Sequence, residues 1–270
     1  MSLIDIVDQT IKHQVIKTEA GEQRIFGVLA GIVTENYHKD MPGCVCVQIP
    51  VRDQEVNILK WVKVISPYGG AEWGQFFLPE KGDQVLLAFE GGSIDKPYVI
   101  GSLPLERAKF LSKSVDESNQ KKRLVTRHGN EIAFFDSKEG EGEKDVLEIH
   151  TAGRAHEVIL DNAKKKIILQ DQEKNCQIEL QTEKGNLKIY AAGKLSLQVG
   201  DSIKVEMNGS SGAVNIEANK LTVNAGRKLE CKTDGTAKIS GQQTIVEAGS
   251  ALKLESSGIA SIAGSPIKLG

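Results

Sequence analysis

From Leu187 to the end of the chain, a pair of apolar or small residues set two apart returns about every eight positions. The pairs are Leu187/Ile189, Leu195/Leu197, Ile203/Val205, Val214/Ile216, Leu221/Val223, Leu229/Cys231, Ala237/Ile239, Thr244/Val246, Leu252/Leu254, Ala260/Ile262 and Ile267/Leu269. The steps between them are 8, 8, 11, 7, 8, 8, 7, 8, 8 and 7 residues, and the long step holds Asn208-Gly209-Ser210-Ser211-Gly212. A spacing of two places both side chains on one face of a strand. Glycines between the pairs supply the bends, so each unit reads as one short strand and a turn. A period held over eleven units marks a repeat architecture. A helix is excluded, because no 3.6-residue period appears and Gly recurs too often.

Each unit offers only two inward side chains, and no Phe, Tyr or Trp follows Tyr190. One chain wound at this pitch leaves apolar side chains and strand edges in water. Three copies wound about one axis bury the apolar pairs and give every edge a neighbour. The predicted fold is therefore an intertwined trimeric β-prism, a needle; a single-chain solenoid is the alternative. The side chains expected at the trimer axis are Leu195, Leu197, Ile203, Val205, Val214, Ile216, Leu221, Val223, Leu229, Cys231, Ile239, Val246, Leu252, Leu254, Ile262, Ile267 and Leu269.

Upstream the pattern changes. Residues 1–22 carry Leu3, Ile6, Val7, Ile11 and Val15 at helical spacing, which reads as an amphipathic helix or a frayed arm. Between 23 and 104, longer strands are expected at 27–33, 43–51, 61–64, 83–89 and 98–101, parted by Gly/Pro turns. Five strands in eighty residues suggest a small Greek-key barrel of the OB kind. Residues 105–122 are charged and read as a linker or a short helix. From 123 to 186 the pairs Leu147/Ile149, Val158/Leu160, Ile167/Leu169 and Ile178/Leu180 recur at longer steps, as a collar of hairpins. Residues 137–145 form the expected hairpin tip, and 187–270 the needle. The whole chain is thus expected to be all-β.

Composition narrows the function. A formal net charge of −2 argues against nucleic-acid binding, which draws on a basic excess. Aromatics at 5% with 27 Gly fit a repeat-rich β protein. No apolar run has the length of a membrane helix, and the N-terminus lacks a basic start followed by an apolar core. Synthesis in the cytoplasm without a signal is the expectation.

In the barrel region, Val45-x-Val47-x-Ile49-Pro50 is followed by Trp61-Val62-Lys63-Val64 and Pro67-Tyr68-Gly69-Gly70. Then come Gly74, Phe77-Leu78-Pro79-Glu80-x-Gly82-Asp83-x-Val85, Phe89-x-Gly91-Gly92 and Pro97-x-x-x-Gly101-Ser102-Leu103. This string resembles the OB domain of VgrG and of phage baseplate spike proteins, the puncturing tip of contractile injection machines. Downstream, Thr126-x-x-Gly129-Asn130-x-Ile132-x-Phe134, Val158-Ile159-Leu160-Asp161-Asn162 and the ending Gly264-Ser265-Pro266-Ile267-Lys268-Leu269 are similar to the family as well. Residue types give these motifs structural roles: Gly82-Asp83 a tight turn, Gly91-Gly92 another, and Trp61 the largest side chain to fill the barrel.

The resemblance implies a homotrimeric spike, assembled into the baseplate of a phage-tail-like particle and driven through a target envelope. It implies a PAAR-like cap seated on Ser265, Pro266, Ile267, Lys268, Leu269 and Gly270. Only about twenty residues precede the barrel, so the split arrangement is expected, with a separate hub protein bound by the barrel and N-terminal segment. The chain is expected to end on the last needle strand, without the lysozyme or toxin domain of some relatives.

Chemistry is sparse. His13, His38, His128, His150 and His156 form no H-x-H or H-E-x-x-H pair, so the terminal iron site of some related spikes is not expected. They read as ordinary surface or turn histidines. Cys44 and Cys46 lie on one strand face, a poor geometry for a mutual disulfide, and read as structural; Cys231 reads as a small axial filler. No P-loop, nucleophile elbow or dinucleotide fingerprint occurs. No enzyme, metal or cofactor is expected. The alternatives are a carbohydrate-binding or depolymerising β-helix, which calls for a cleft lined by aromatics and carboxylates, and an OB nucleic-acid binder, which calls for basic grooves with stacking aromatics.

Overall fold

Strand pairing in a computed structural model of the chain follows the change in sequence pattern. Residues 15–17, 23–25, 27–49, 58–105 and 108–268 are described. Two units are distinguished, Met1–Leu197 with Glu206–Asn215, and Gln198–Val205 with Ile216–Gly270. Of the expected N-terminal helix, all but 15–17 lies outside the described residues. That piece is instead a strand: β1 (Val15–Lys17) pairs antiparallel with β2 (Gln23–Ile25), Val15 opposite Ile25. A backbone ladder there takes the place of the helical bonds that the spacing suggested.

The expected barrel is present. Strands β3 (Val28–Glu35), β4 (Cys44–Gln48), β5 (Ile58–Val64), β6 (Gln84–Phe89) and β7 (Pro97–Ser102) close in the order β3-β4-β5-β7-β6. All neighbours run antiparallel except β5 and β7. Alternation drives Leu29, Val33, Val45, Val47, Ile49, Val62, Val85, Leu87 and Val99 into one core with Ile25. β-branched residues dominate it because they fit a pleated, closed surface.

Trp61 is not in that core. Its backbone is left-handed (φ 54°), and Lys60 and Trp61 together oppose Cys46 alone, which makes a bulge. The bulge keeps Val62 inward and turns Trp61 out, where its ring tilts against His38 at 4.5 Å. The barrel is filled by aliphatic side chains instead. Gly31 has a role the sequence did not reveal: a Cβ there would stand 2.4 Å from Val47 Cγ1 and 3.2 Å from Leu87 Cδ1.

The linker contains a short helix, α1 (Lys109–Ser114). After it, β8 (Lys121–Val125), β9 (Glu131–Phe135), β10 (Val146–His150), β11 (His156–Asp161), β12 (Lys166–Asp171), β13 (Cys176–Gln181) and β14 (Asn186–Ala191) form a seven-stranded antiparallel meander. The tip 137–145 joins β9 to β10, closed by the Ser137 N–H donating to Asp145 Oδ1 at 2.8 Å. The meander runs through β14, so the first octad pair, Leu187/Ile189, is bonded into the collar sheet opposite Leu180 and Ile178.

Beyond it, β15 (Lys194–Val199), β16 (Ile203–Asn208) and β17 (Ala213–Glu217) form a three-stranded sheet. Residues 218–268 form no strand in the single chain, so the strands expected from Leu221 to Ile267 are not formed there. Units of eight residues gain a ladder only from a bonded neighbour, and one chain supplies none at these pairs.

We expect Gly31→Ala to overpack the crossing of β3 and β4 and to destabilise the barrel by about 1–3 kcal/mol. The urea midpoint followed by circular dichroism checks this. An unchanged midpoint would mean the crossing has room for a methyl group.

Candidate interaction surface

The registers of the seven-stranded sheet align the collar pairs into two rows on one face. One row runs Leu124, Ile132, Ile149, Val158, Leu169, Ile178, Ile189; the other runs Phe134, Leu147, Leu160, Ile167, Leu180, Leu187. Eleven of these thirteen side chains are 36–60% exposed, and Leu147 and Val158 are half-buried. The ladder amounts to roughly 1000 Å² of apolar surface, against the 300–600 Å² of the largest patch on an ordinary monomer. A two-rowed apolar face of this size is a candidate contact surface.

The opposite face is polar and better shielded. Arg123 Nη2 donates to Glu131 Oε2 at 2.5 Å, both side chains 8% exposed, and His150 Nε2 lies 3.4 Å from the same oxygen. Phe110 of α1 covers the Arg123 guanidinium at 5.9 Å. His150, expected as an ordinary surface residue, is thus a nearly buried partner of a carboxylate. Along the sheet, Gln170 Nε2 and Arg154 Nη1 donate to Glu157 at 2.8 and 2.6 Å, and together with the Arg154 charge they hold its carboxyl below the usual range. Burial would raise Asp161, but hydrogen bonds from Lys164 Nζ and its backbone N–H outweigh it and leave the pKa lowered. Arg154 also bridges to Glu148, which chiefly raises its own pKa.

A second apolar surface lies on the barrel. The segment between β5 and β6 exposes Ile65, Tyr68, Trp73, Phe76 and Phe77. It is ordered by its own bonds: Gln75 N–H donates to Tyr68 O at 2.9 Å, Gly70 N–H to Trp73 O at 2.7 Å, and Ser66 Oγ to Gln75 O at 2.7 Å. The Trp73 indole lies where a Cβ on Gly70 would fall, 2.6 Å away, so only glycine admits it.

Other motif residues set turns around this barrel. Gly82 (φ 90°) and Asp83 close the turn before β6, with Asp83 Oδ2 accepting from Glu80 N–H at 2.9 Å. Gly91 and Gly92 carry a left-handed 3-10 turn at the end of β6. Gly69 bridges to Gly74, Pro67 and Pro79 flank the aromatic loop, and Pro97 and Gly101 lie in β7. Cys44 is half-buried and Cys46 buried, both as free thiols.

Of the side chains expected at the axis, Leu195 and Val205 are half-buried in the single chain, those from Leu197 to Ile267 are otherwise exposed, and Leu269 lies outside the described residues. Of the expected cap surface, Ser265, Pro266, Ile267 and Lys268 are exposed, and Leu269 and Gly270 lie outside. No helix among the described residues is long and apolar enough to cross a membrane.

Residues 29–103, which span the closed barrel, match the family of the type VI secretion system/phage-baseplate injector OB domain. The barrel is therefore an injector OB domain, and the match supports the resemblance to the VgrG and baseplate spike family. The match lies on the barrel and stops short of α1 and the meander. No curated protein matches the chain.

Glu157 gives a test of the polar face. Its folded pKa is below the ordinary 4.5, so its stabilisation is present above that value and lost as pH falls through the folded pKa. Melting temperatures taken from about pH 5 down to about pH 3 are expected to fall less steeply for Glu157→Gln than for the native chain. Parallel curves would show that Glu157 is not held below its usual range.

Proposed function

We propose that the chain is the central spike of a contractile injection apparatus, assembled as a homotrimer and driven through a target envelope. The observation that carries this reading is the uncovered apolar ladder of the meander, which leads in sequence into the period-eight apolar pairs exposed along the needle segment. On this reading three chains cover one another's ladders, and each short strand finds its neighbour on another chain. The injector OB barrel supports the place of such a trimer in a baseplate.

The mechanism is mechanical. Strands shared among three chains transmit axial force well, because unfolding one chain disrupts the others. Such an assembly unfolds slowly, so its resistance is kinetic. The polar face, with its buried Arg123–Glu131 pair, points outward and limits adhesion to lipid during passage. The barrel and N-terminal segment hold a hub protein of the tail, and the segment from Ser265 to Gly270 seats a PAAR-like cap. The work asked of the chain is transmission of force, without catalysis.

Light scattering of the purified chain should give three times 29.3 kDa, and the mass should persist in unheated denaturant. A monomer would sink the proposal. Partner placement is checked separately by co-purification with tail proteins. Deleting Ser265 to Gly270 is expected to abolish cap retention and spare the hub; retention of the cap by the shortened chain would show that it binds elsewhere.

A further inference from the structure

The aromatic loop of the barrel lies beside the first strands of the apolar ladder in the same chain. Phe77 forms one rim of an open concavity of about 460 Å³, whose floor is Leu124, Ile132, Ile149, Val158 and Leu169. The loop and the floor are both apolar and both uncovered. Tyr68, Trp73, Phe76 and Phe77 are 60–75% exposed. At 150–250 Å² per aromatic side chain, they present about 500 Å², over half of the ~800 Å² each partner brings to a standard interface. Ile65, 53% exposed, lies with Phe76 and Phe77 and extends the same surface.

We infer that the occupant of this concavity is the aromatic loop of a second copy of the chain, with Phe76 as the inserted side chain and Trp73 packed beside it. The inference rests on the trimeric reading above and adds a contact to it. On this inference the part of the first row beside Phe77, from Leu124 to Leu169, is covered by the neighbour's loop, and the neighbours' ladders cover the rest. Phe77 stays with its own concavity, whereas Phe76, the most exposed aromatic of the loop at 75%, turns elsewhere and lies over Gly43. One patch fitting a different patch on the next copy is a heterologous contact, which closes into a ring when the rotation suits.

The loop is built for such a contact. Its internal hydrogen bonds and the glycine-seated indole fix the aromatics before any partner arrives, so little side-chain entropy remains to be lost on binding. Trp and Tyr framed by smaller groups are the residues that dominate interface energies. On this inference the barrels are locked together as well as the needle strands, and the upper end of the spike resists splaying under axial load.

The chain has two tryptophans, so Trp61→Phe in the full-length protein leaves Trp73 as sole reporter. In the trimer, Trp73 emission is expected to shift to shorter wavelength and its quenching by acrylamide to fall about threefold relative to the unfolded chain. Adding Phe76→Ser is expected to restore quenching and to lower the denaturant concentration at which the mass drops. If Trp61→Phe perturbs folding, the native chain and Trp73→Phe give the same signal by difference. A trimeric mass with Trp73 still fully quenched overturns this inference and leaves the trimer standing. A monomeric mass removes both. Shielding that appears only when another tail protein is added assigns the loop to that protein and overturns the inference as well.

Discussion

A sheet cannot readily keep two full rows of apolar side chains in water, and this constraint governs the middle of the molecule. Thirteen apolar side chains stand in two registered rows across seven strands, and eleven of them are exposed among the described residues of one chain. The polar face shows the converse. Arg123, Glu131, His150 and Glu157 are more shielded than the leucines and isoleucines opposite them. Long charged side chains laid flat along a sheet shield one another, so the polar face completes itself within one chain. The apolar face needs partners, and the proposed trimer provides them.

The barrel stands in contrast, because it solves the same problem alone. Closure removes the strand edges, and ten buried aliphatic side chains form the core with no aromatic among them. Both tryptophans are displaced outward, Trp61 by the β4–β5 bulge and Trp73 by the Gly70 seat. The result is a self-sufficient domain with a preformed apolar loop on its surface. It joins a closed barrel to an exposed aromatic loop ordered by its own hydrogen bonds.

Among the described residues no group of three or more His, Cys, Asp or Glu side chains is placed to hold a metal ion. The ionic groups of the meander are spent on one another: Arg154 on Glu148 and Glu157, Lys164 on Asp161, Lys166 on Glu179.

Several features were determined by the sequence alone. Five strands between 23 and 104, the collar pairs from Leu147 to Leu180 and the hairpin tip at 137–145 follow from period-two alternation and turn residues, which are local properties of the chain. Register, by contrast, was decided by the tertiary structure: that Leu169 faces Ile178 and Val158 arises from ladders between strands, and the same alternation fits several registers. The outward turn of Trp61, the need for glycine at Gly31 and the Arg123–Glu131–His150 cluster were likewise illegible, because each depends on residues brought close by closure or pairing. The aromatic loop had a signal in its density of Tyr, Trp and Phe, yet only its exposure separates a contact surface from a core. The period-eight segment is the opposite case: the sequence states its periodicity plainly, while one chain forms no strand from Ala218 to Lys268. A repeat of that length writes its pattern locally, but local pattern alone does not decide which strands pair.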